Sequence, residues 1–283
     1  MNNVFLQLWE PLLRFLRKIL ELLASSLVRQ PSSAIVCTRR KRIILVRHGQ
    51  SLGNVDETEY ARTPDWKMPL TPLGCEQARD AGQKIAELCH GESVLCYVSP
   101  YHRTMDTWHL IKDELAKDPS IRLIGCRQEV RVAEQQFGNF QNPQAVLRAK
   151  EQRRDFGRFF YRFPNGESGL DVYSRVTSFL ATLSRDFKQL GQRDVAMNDC
   201  NILIVTHGLT LRLFLTRYFV LSVEEFEETI NPPNAEPIIM NRHRSDEYGW
   251  EYYRLDAKSA AMLNLNFDVS TESPVFWRER YNL

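Results

Sequence analysis

The tripeptide Arg47-His48-Gly49 places a cation, an imidazole and a glycine directly after the short apolar run 43–46. A neutral imidazole can attack phosphorus, and this form is well populated at neutral pH because the reference pKa of histidine is about 6.5. A guanidinium can donate paired hydrogen bonds to phosphoryl oxygens, and a glycine lets the backbone approach closely. Such short motifs recur by chance, so phosphoryl chemistry is indicated only if partners elsewhere complete the site.

Partners of suitable chemistry lie downstream. His207 follows the apolar run 202–205 and precedes Gly208, which repeats the strand, histidine and glycine arrangement of the first motif. Arg103 supplies a second guanidinium and Asn54 a neutral amide donor. Phosphoryl transfer through an enzyme nucleophile needs an in-line attacking atom, cations around the equatorial oxygens and an acid for the leaving group. The repeated motif argues against coincidence and predicts a two-histidine site.

Two glutamates compete for the role of the acid. Glu129 and Glu134 are five residues apart, and either could reach the site from a loop. A general acid must hold its proton near working pH, so we expect partial burial to raise its pKa from about 4.3. Arg62 is a further candidate for contact with substrate beyond the phosphate, with a plain surface arginine as the alternative.

Bulk composition favours a globular protein and excludes some classes of function. The 283 residues carry 37 basic and 35 acidic side chains, and the resulting net charge of +2 gives no global electrostatic basis for binding nucleic acid. The six cysteines are scattered, without the close cysteine and histidine clusters of a zinc site. We interpret them as reduced thiols of a cytoplasmic type of protein, and we predict no metal and no cofactor.

Short apolar runs alternate with stretches of helical periodicity from residue 42 onward. The pattern predicts strands at residues 43–47, 94–99, 121–126 and 202–206, weaker strands near 237–241 and 250–255, and helices at 72–89, 102–116, 170–190 and 209–219. This alternation predicts a three-layer α/β fold, with a mostly parallel sheet covered by helices on both faces. Ligands of such sheets bind beyond the carboxyl ends of the strands, which is where Arg47, His48, Arg103 and His207 fall.

Residues 135–168 interrupt this alternation and are rich in arginine and aromatic side chains. We interpret the segment as a helical insertion over the expected site. The alternative is an amphipathic helix that packs its aromatic side chains inward.

Residues 1–30 differ in composition from the rest of the chain. Apolar side chains at helical spacing predict an amphipathic helix, followed by a basic linker to residue 41 and a domain spanning 42–283. Five charged residues between positions 5 and 23 argue against a membrane span and a secretory signal. Three interpretations stay open: a peripheral membrane helix, an organelle-targeting segment, and a helix docked on the protein itself or on a partner.

Taken in order, the motifs resemble the histidine phosphatase superfamily, which includes cofactor-dependent phosphoglycerate mutases, fructose-2,6-bisphosphatases and broad-specificity acid phosphatases. The resemblance runs from about residue 42 to residue 255. It rests on Leu45-Val46-Arg47-His48-Gly49-Gln50-Ser51 with Asn54, Pro69-Leu70-Thr71 with Gly74 and Gln77-Ala78, Ser99-Pro100 with Arg103-Thr104, Glu134 with Phe137-Gly138, Gly166-Glu167-Ser168, and Val205-Thr206-His207-Gly208.

This resemblance implies a phosphoglycerate mutase-like fold without a metal. It implies that His48 becomes phosphohistidine and that Arg47, Arg103 and His207 bind the phosphoryl group. The Glu-x-x-Phe-Gly spacing favours Glu134 over Glu129 as the proton donor.

Two segments favour the broad-specificity phosphatase branch over the mutases. The mutase branch carries Glu-Ser-x-Trp-Asn after Arg-His-Gly and Glu-Arg-His-Tyr-Gly around the acid. This chain has Gln50-Ser51-Leu52-Gly53-Asn54 and Glu134-Gln135-Gln136-Phe137-Gly138. We therefore expect a phosphoric monoester hydrolase acting on a small phosphorylated metabolite, with a phosphoglycerate mutase and a catalytically idle phospholigand-binding protein as alternatives. Substrate identity and oligomeric state stay open.

Overall fold

The computed structural model describes residues 41–138, 143–191, 200–244 and 251–265. The predicted N-terminal helix and most of the basic linker lie outside these residues. The strands of the described sheet are β1 Arg42–Arg47, β2 Ser93–Val98, β3 Arg122–Gln128, β4 Cys200–Thr206, β5 Pro237–Arg244 and β6 Glu251–Leu255. The described α-helices are α1 Leu52–Val55, α2 Pro72–Leu88, α3 His102–Leu115, α4 Pro143–Phe156, α5 Gly169–Gly191, α6 Gly208–Phe219, α7 Val223–Glu228 and α8 Ala257–Met262.

The sheet has the strand order β3-β2-β4-β1-β5-β6. Neighbours from β3 to β1 pair in parallel, whereas β5 runs antiparallel to both β1 and β6. The prediction of a mostly parallel sheet is confirmed. β4 lies between β1 and β2, so three strands with polar residues at their carboxyl ends are adjacent in space.

Helices cover both faces of this sheet, as the alternating pattern predicts. On one face, alternate β1 residues such as Ile44 and Val46 pack against α2 and α3 in a core that includes Ile85 and Ile111. On the other face, Leu45 and its neighbours pack against α5 and α6. Strands buried on both sides read as continuous apolar runs, which is why their positions could be predicted.

The predicted boundaries of the described strands and helices differ from the observed ones by at most three residues, and the largest difference is at β5, which runs to Arg244 and not to residue 241. The third strand runs two residues further than expected, to Gln128, because its exposed, charged residues at an edge of the sheet give no apolar signal. The segment 135–168 contains one described helix, α4, and its aromatic side chains divide: Phe159 and Phe163 are buried, whereas Phe156 and Phe160 are exposed. Among the described helices, none is long and apolar enough to cross a membrane.

The first turn of α2 packs directly on the backbone that follows β1. A side-chain carbon added to Gly49 would lie 2.3 Å from the Gly74 carbonyl oxygen, and one added to Gly74 would lie 2.0 Å from the Gln50 carbonyl oxygen. The Thr71 side chain caps α2 by accepting a hydrogen bond from the Gly74 amide at 3.0 Å. This backbone contact fixes the path of the chain immediately after His48.

We therefore expect Gly74→Ala to destabilise the protein by about 1–3 kcal/mol, the usual cost of forcing an extra carbon into a packed interior. Alanine by itself stabilises a helix by about 1 kcal/mol relative to glycine, so a lower free energy of unfolding in this variant would show that the steric contact dominates. The midpoint of urea unfolding measures the change. Gly125→Ala is the matched control: its added carbon meets no atom within 4 Å, and its effect should stay within about 0.5 kcal/mol. Equal midpoints for the two variants would contradict the proposed contact.

Candidate active site

The two histidines meet because β1 and β4 are neighbouring parallel strands in register. Arg47 pairs with Thr206, so His48 and His207 follow at the same edge of the sheet. The His48 amide donates to the Thr206 carbonyl oxygen at 3.0 Å, and the two imidazole rings lie 5.3 Å apart between centroids. The structure thus brings together the two histidine motifs found in the sequence.

His48 is held in the form that a nucleophile needs. Its Nδ1 lies 2.7 Å from the Gly49 carbonyl oxygen. A carbonyl can only accept, so Nδ1 carries the proton and Nε2 keeps its lone pair. Burial, followed by the positive charges of Arg103 and Arg47, holds the pKa of His48 well below its usual value. The ring is therefore neutral over the physiological pH range.

His207 is fully buried beside His48. Its Nε2 lies 2.8 Å from the Ser99 hydroxyl oxygen, at the end of β2, and its Nδ1 has no hydrogen-bond partner among the described residues. Burial is the largest cause of its pKa lying well below the usual value, with Arg103 next. When Ser99 donates to Nε2, Nδ1 carries the ring proton and is free to donate it to an oxygen anion.

Two guanidiniums flank the histidine pair. Arg103 is 2% exposed, and its Nη1 donates to the Asp65 carbonyl oxygen at 2.6 Å and to Asp65 Oδ1 at 2.9 Å. Arg47 Nη1 donates to the Pro232 carbonyl oxygen at 3.0 Å. The Nε atoms of both arginines are buried without a hydrogen-bond partner in the described part of the chain. Since unpaired buried donors are costly, a ligand with several acceptor oxygens would complete the site.

Glu134 carries the carboxylate of this constellation. It is half-buried, and its Oε1 accepts from the Gln135 amide at 3.0 Å and lies 3.4 Å from the Thr210 hydroxyl. Burial raises the pKa of Glu134, although the positive charge of Arg103 opposes this effect. Glu129, the competing candidate, is instead bound by Arg131 Nε at 2.8 Å and Nη2 at 2.6 Å, and its pKa is lowered by these hydrogen bonds against the effect of burial. A group that retains its proton more readily suits the role of acid, which favours Glu134.

The loop that presents Glu134 is held by Arg175 on α5. Its guanidinium donates to three backbone carbonyls, those of Arg131, Ala133 and Glu134, at 2.7–3.0 Å. It also pairs with Glu167, whose carboxylate Oε1 lies 3.0 Å from its Nε. One rigid, planar donor group therefore fixes the position of the loop next to the site.

The other predicted site residues, Asn54, Gly208 and Arg62, differ in whether their contacts connect them to the histidine pair. The Asn54 side chain accepts from the Ser51 amide and lies 3.4 Å from Asn234, which itself donates to the His48 carbonyl oxygen at 2.9 Å. At Gly208, an added side-chain carbon would lie 2.6 Å from the Asn231 side chain. Arg62 is exposed and pairs with Glu59 at 3.3 Å, and no contact joins it to the histidines among the described residues.

The predicted insertion contributes cationic side chains close to the Glu134 loop and to Tyr60. Arg153 of α4 donates to the Gln135 side chain at 3.2 Å, and Lys150 lies 5.4 Å from the centre of the Tyr60 ring. Burial lowers the pKa of Arg47, and Tyr60 opposes this effect; burial also raises the pKa of Tyr60 itself, and acidic groups that include Glu134 act in the same direction. The helix α4 therefore packs beside the candidate site.

Several residues that shape the site gave no signal in the sequence. Asp65, Arg175 and Asn234 each contact a predicted site residue or its backbone, yet none lies within a motif of the histidine constellation. Their contacts span from 38 to 186 positions along the chain. Short spacing rules do not detect such pairs. Among the described residues, no group of three or more histidine, cysteine or acidic side chains could hold a metal ion.

The residues that form this site belong to a sequence region that matches a known protein family. Residues 43–255 match the family described as the histidine phosphatase superfamily, branch 1. The chain belongs to this superfamily. The resemblance predicted from the ordered motifs is confirmed, and the match covers nearly the same residues, from about 42 to 255.

Relatives of this superfamily member carry names from both phosphatases and mutases. The chain is 46% identical to a phosphoglycerate mutase-like protein of Arabidopsis thaliana, over 74% of this chain and 76% of the relative. It is 41% identical to a broad-range acid phosphatase of Saccharomyces cerevisiae, over 73% of this chain and 87% of the relative. A 2,3-bisphosphoglycerate-dependent phosphoglycerate mutase of Rhizobium etli is 29% identical, over 70% of this chain and 88% of the relative.

A solved structure supports the same fold. A mycobacterial glucosyl-3-phosphoglycerate phosphatase matches with a TM-score of 0.56 at 23% identity, over 76% of this chain and 97% of that chain. The superfamily member therefore has the phosphoglycerate mutase-like fold that its sequence predicts.

We expect Arg175→Lys to lower turnover of an alkyl phosphate at least about ten-fold, because an ammonium cannot reach three carbonyls and Glu167 at once. The KM should change little, since Arg175 binds the Glu134 loop. Steady-state kinetics measures both constants. Arg162→Lys is the matched control, an exposed arginine paired with Asp171, and it should behave like the parent. If Arg175→Lys raised KM and left turnover unchanged, the assigned role of Arg175 would be wrong.

Proposed function

We propose that this protein is a metal-independent phosphatase that hydrolyses small phosphomonoesters through a phosphohistidine at His48. The observation that carries the proposal is the pair of buried histidines near two guanidiniums whose Nε atoms have no hydrogen-bond partner among the described residues. Membership of the superfamily and the acid phosphatase among the relatives support it.

The first step transfers the phosphoryl group to the enzyme. The lone pair of His48 Nε2 attacks phosphorus, and the bond from phosphorus to the ester oxygen breaks. Because Nδ1 already donates to the Gly49 carbonyl, the ring is oriented before substrate binds. A preset orientation avoids an entropic cost at the moment of reaction.

Positive charge and hydrogen-bond donors stabilise the transferring group. Arg47 and Arg103 can donate from Nε to equatorial oxygens, and His207 can donate from Nδ1. All three groups are held by other contacts, to Pro232, Asp65 and Ser99. Donors fixed in a water-poor site stabilise developing negative charge more effectively than mobile donors in solvent.

Glu134 donates a proton in the first step and accepts one in the second. Its carboxylic acid protonates the leaving alcohol oxygen as the ester bond breaks, which leaves a carboxylate. In the second step this carboxylate takes a proton from water, and the water oxygen attacks phosphohistidine to release phosphate and regenerate neutral His48. The raised pKa of Glu134 favours the acid form at the start of the cycle.

Sequence differences from the mutase branch favour hydrolysis of the phosphoester over phosphoglycerate mutase activity. Gln50 and Gln135 stand where the mutase branch has other residues, and identity to the acid phosphatase is 41% against 29% for the Rhizobium mutase. Release of phosphate from a panel of phosphorylated metabolites, compared with isomer exchange after addition of bisphosphoglycerate, separates the two activities.

His48→Ala should lower hydrolysis of an aryl phosphate at least about a thousand-fold, because the nucleophile is lost. Transfer of the phosphoryl group from substrate to the parent protein should leave an acid-labile, base-stable phosphate on the tryptic peptide 48–62, which contains His48 as its one histidine.

The parent protein should also keep its activity in the presence of a chelating agent, because no metal takes part in the proposed reaction.

The exposed His90, which pairs with Asp118, offers the control His90→Ala. It should retain parental activity. Label on the peptide that holds His207, or full activity of His48→Ala, would refute His48 as the nucleophile. Phosphate binding without turnover by the parent would favour the idle phospholigand-binding protein.

Glu134→Gln should lower kcat/KM for an alkyl phosphate at least about a hundred-fold and affect p-nitrophenyl phosphate far less, because the phenolate leaves without full protonation. The quantity kcat/KM isolates this step, since it reports events up to the first irreversible transfer. Glu129→Gln is the matched control and should show no such dependence on the leaving group. A similar pattern in both variants would count against Glu134 as the acid.

The same variants test the pH dependence. The acid form of Glu134 is lost as pH rises through its raised pKa, so kcat/KM for the alkyl substrate should fall on the alkaline side. Neutral His48 is lost only as pH falls through its much lowered pKa. We expect an optimum on the acid side of neutrality, and we expect Glu134→Gln to remove the alkaline decline that Glu129→Gln retains.

A further inference from the structure

Cys96 and Cys126 are direct neighbours on the adjacent parallel strands β2 and β3. In-register neighbours point to the same face of a sheet, and their Cα atoms are separated by about the strand spacing of 4.8 Å. A disulfide bridges Cα atoms roughly 4.4–6.8 Å apart. The pair therefore lies within bonding range, and this chemistry is unrelated to the histidine site.

The two thiols differ in exposure. Cys126 is exposed on β3, whereas Cys96 is fully buried in the core beneath α3. The neighbouring Cys96 side chain lowers the pKa of Cys126, and Lys112 on α3 acts in the same direction. Burial raises the pKa of Cys96. The accessible sulfur is thus the more readily ionised one, as a reactive thiol requires.

The backbone beside Cys126 can accommodate bond formation. β3 is an edge strand of the described sheet, bonded to β2 on one side. Its register shifts between the pairs of Val94 and Leu95, immediately before Gly125, where an added side-chain carbon would meet no atom within 4 Å. Irregular pairing and a glycine next to the cysteine leave the backbone of β3 room to adjust when a disulfide forms.

We propose that Cys96 and Cys126 form a redox-reactive dithiol, which hydroperoxides convert into an intramolecular disulfide. The Cys126 thiolate attacks a peroxide oxygen and breaks the O–O bond, giving a sulfenic acid and, with one proton, water. The Cys96 sulfur then attacks the Cys126 sulfur and expels hydroxide, which takes the Cys96 proton to form a second water. Two thiols and one hydrogen peroxide thus give one disulfide and two waters.

The test treats the reduced full chain with equimolar hydrogen peroxide, alkylates free thiols in denaturant and digests with trypsin without reduction. Mass spectrometry should show peptide 123–127, with Cys126, linked to peptide 85–103, and fragmentation should place the link at Cys96 and not at Cys89. Dithiothreitol should release both peptides. This readout does not depend on phosphatase activity, so it stands or fails separately from the proposed function.

Two variants serve as controls. Cys126→Ser, a change at an exposed position, should abolish the link and leave Cys96 fully alkylated. Cys75→Ser, which removes a partly exposed thiol on α2, should leave the link unchanged. The proposal is overturned if Cys126 proceeds to sulfinic acid while Cys96 stays alkylatable, if the link joins other cysteines or two chains, or if Cys126 reacts no faster than Cys75.

Discussion

The parallel pairing of β1 with β4 is the contact on which the rest of the site depends. Each strand ends in a polar residue followed by a histidine, and the shared register brings these ends to one edge of the sheet. The His48 amide continues the ladder to Thr206, so the nucleophile is held by the same hydrogen bonds that form the sheet. β2 lies on the other side of β4 and delivers Ser99 to His207. The position of the chemistry is therefore set by the sheet, with little freedom left to the loops.

Burial of this edge explains the electrostatics of the site. Desolvation and the positive charges of Arg103 and Arg47 hold the pKa values of both imidazoles well below their usual value, so both rings are neutral. Asp65 offsets part of the charge of Arg103. The same desolvation acts oppositely on an acid, and it raises the pKa of Glu134. A single low-polarity environment thus lowers the pKa of His48 and raises that of Glu134, because burial disfavours whichever form is charged.

The fold could be predicted from the sequence where burial leaves a pattern. The runs 43–46, 94–98 and 202–205 are buried on both faces, so each is continuously apolar and was placed within one or two residues of the observed strands. β5 extends three residues beyond its predicted end, because its last residues are polar or charged and partly exposed and so give no apolar signal. The sequence of 135–168 does not reveal which of its aromatic side chains are buried, since that depends on packing against distant elements.

The amino-acid sequence alone shows which types of group are present and in what order: two histidines after two apolar strands, two arginines, and a glutamate in a loop. These are local properties, because each motif joins a strand to the residues that follow it. The tertiary structure decided which groups hold these residues in place. Asp65 on Arg103, Arg175 on the Glu134 loop and Asn234 on the His48 carbonyl come from remote parts of the chain. It also decided which glutamate is bound by an arginine and which retains its proton, because a pKa depends on burial and on charges that only the folded chain brings together.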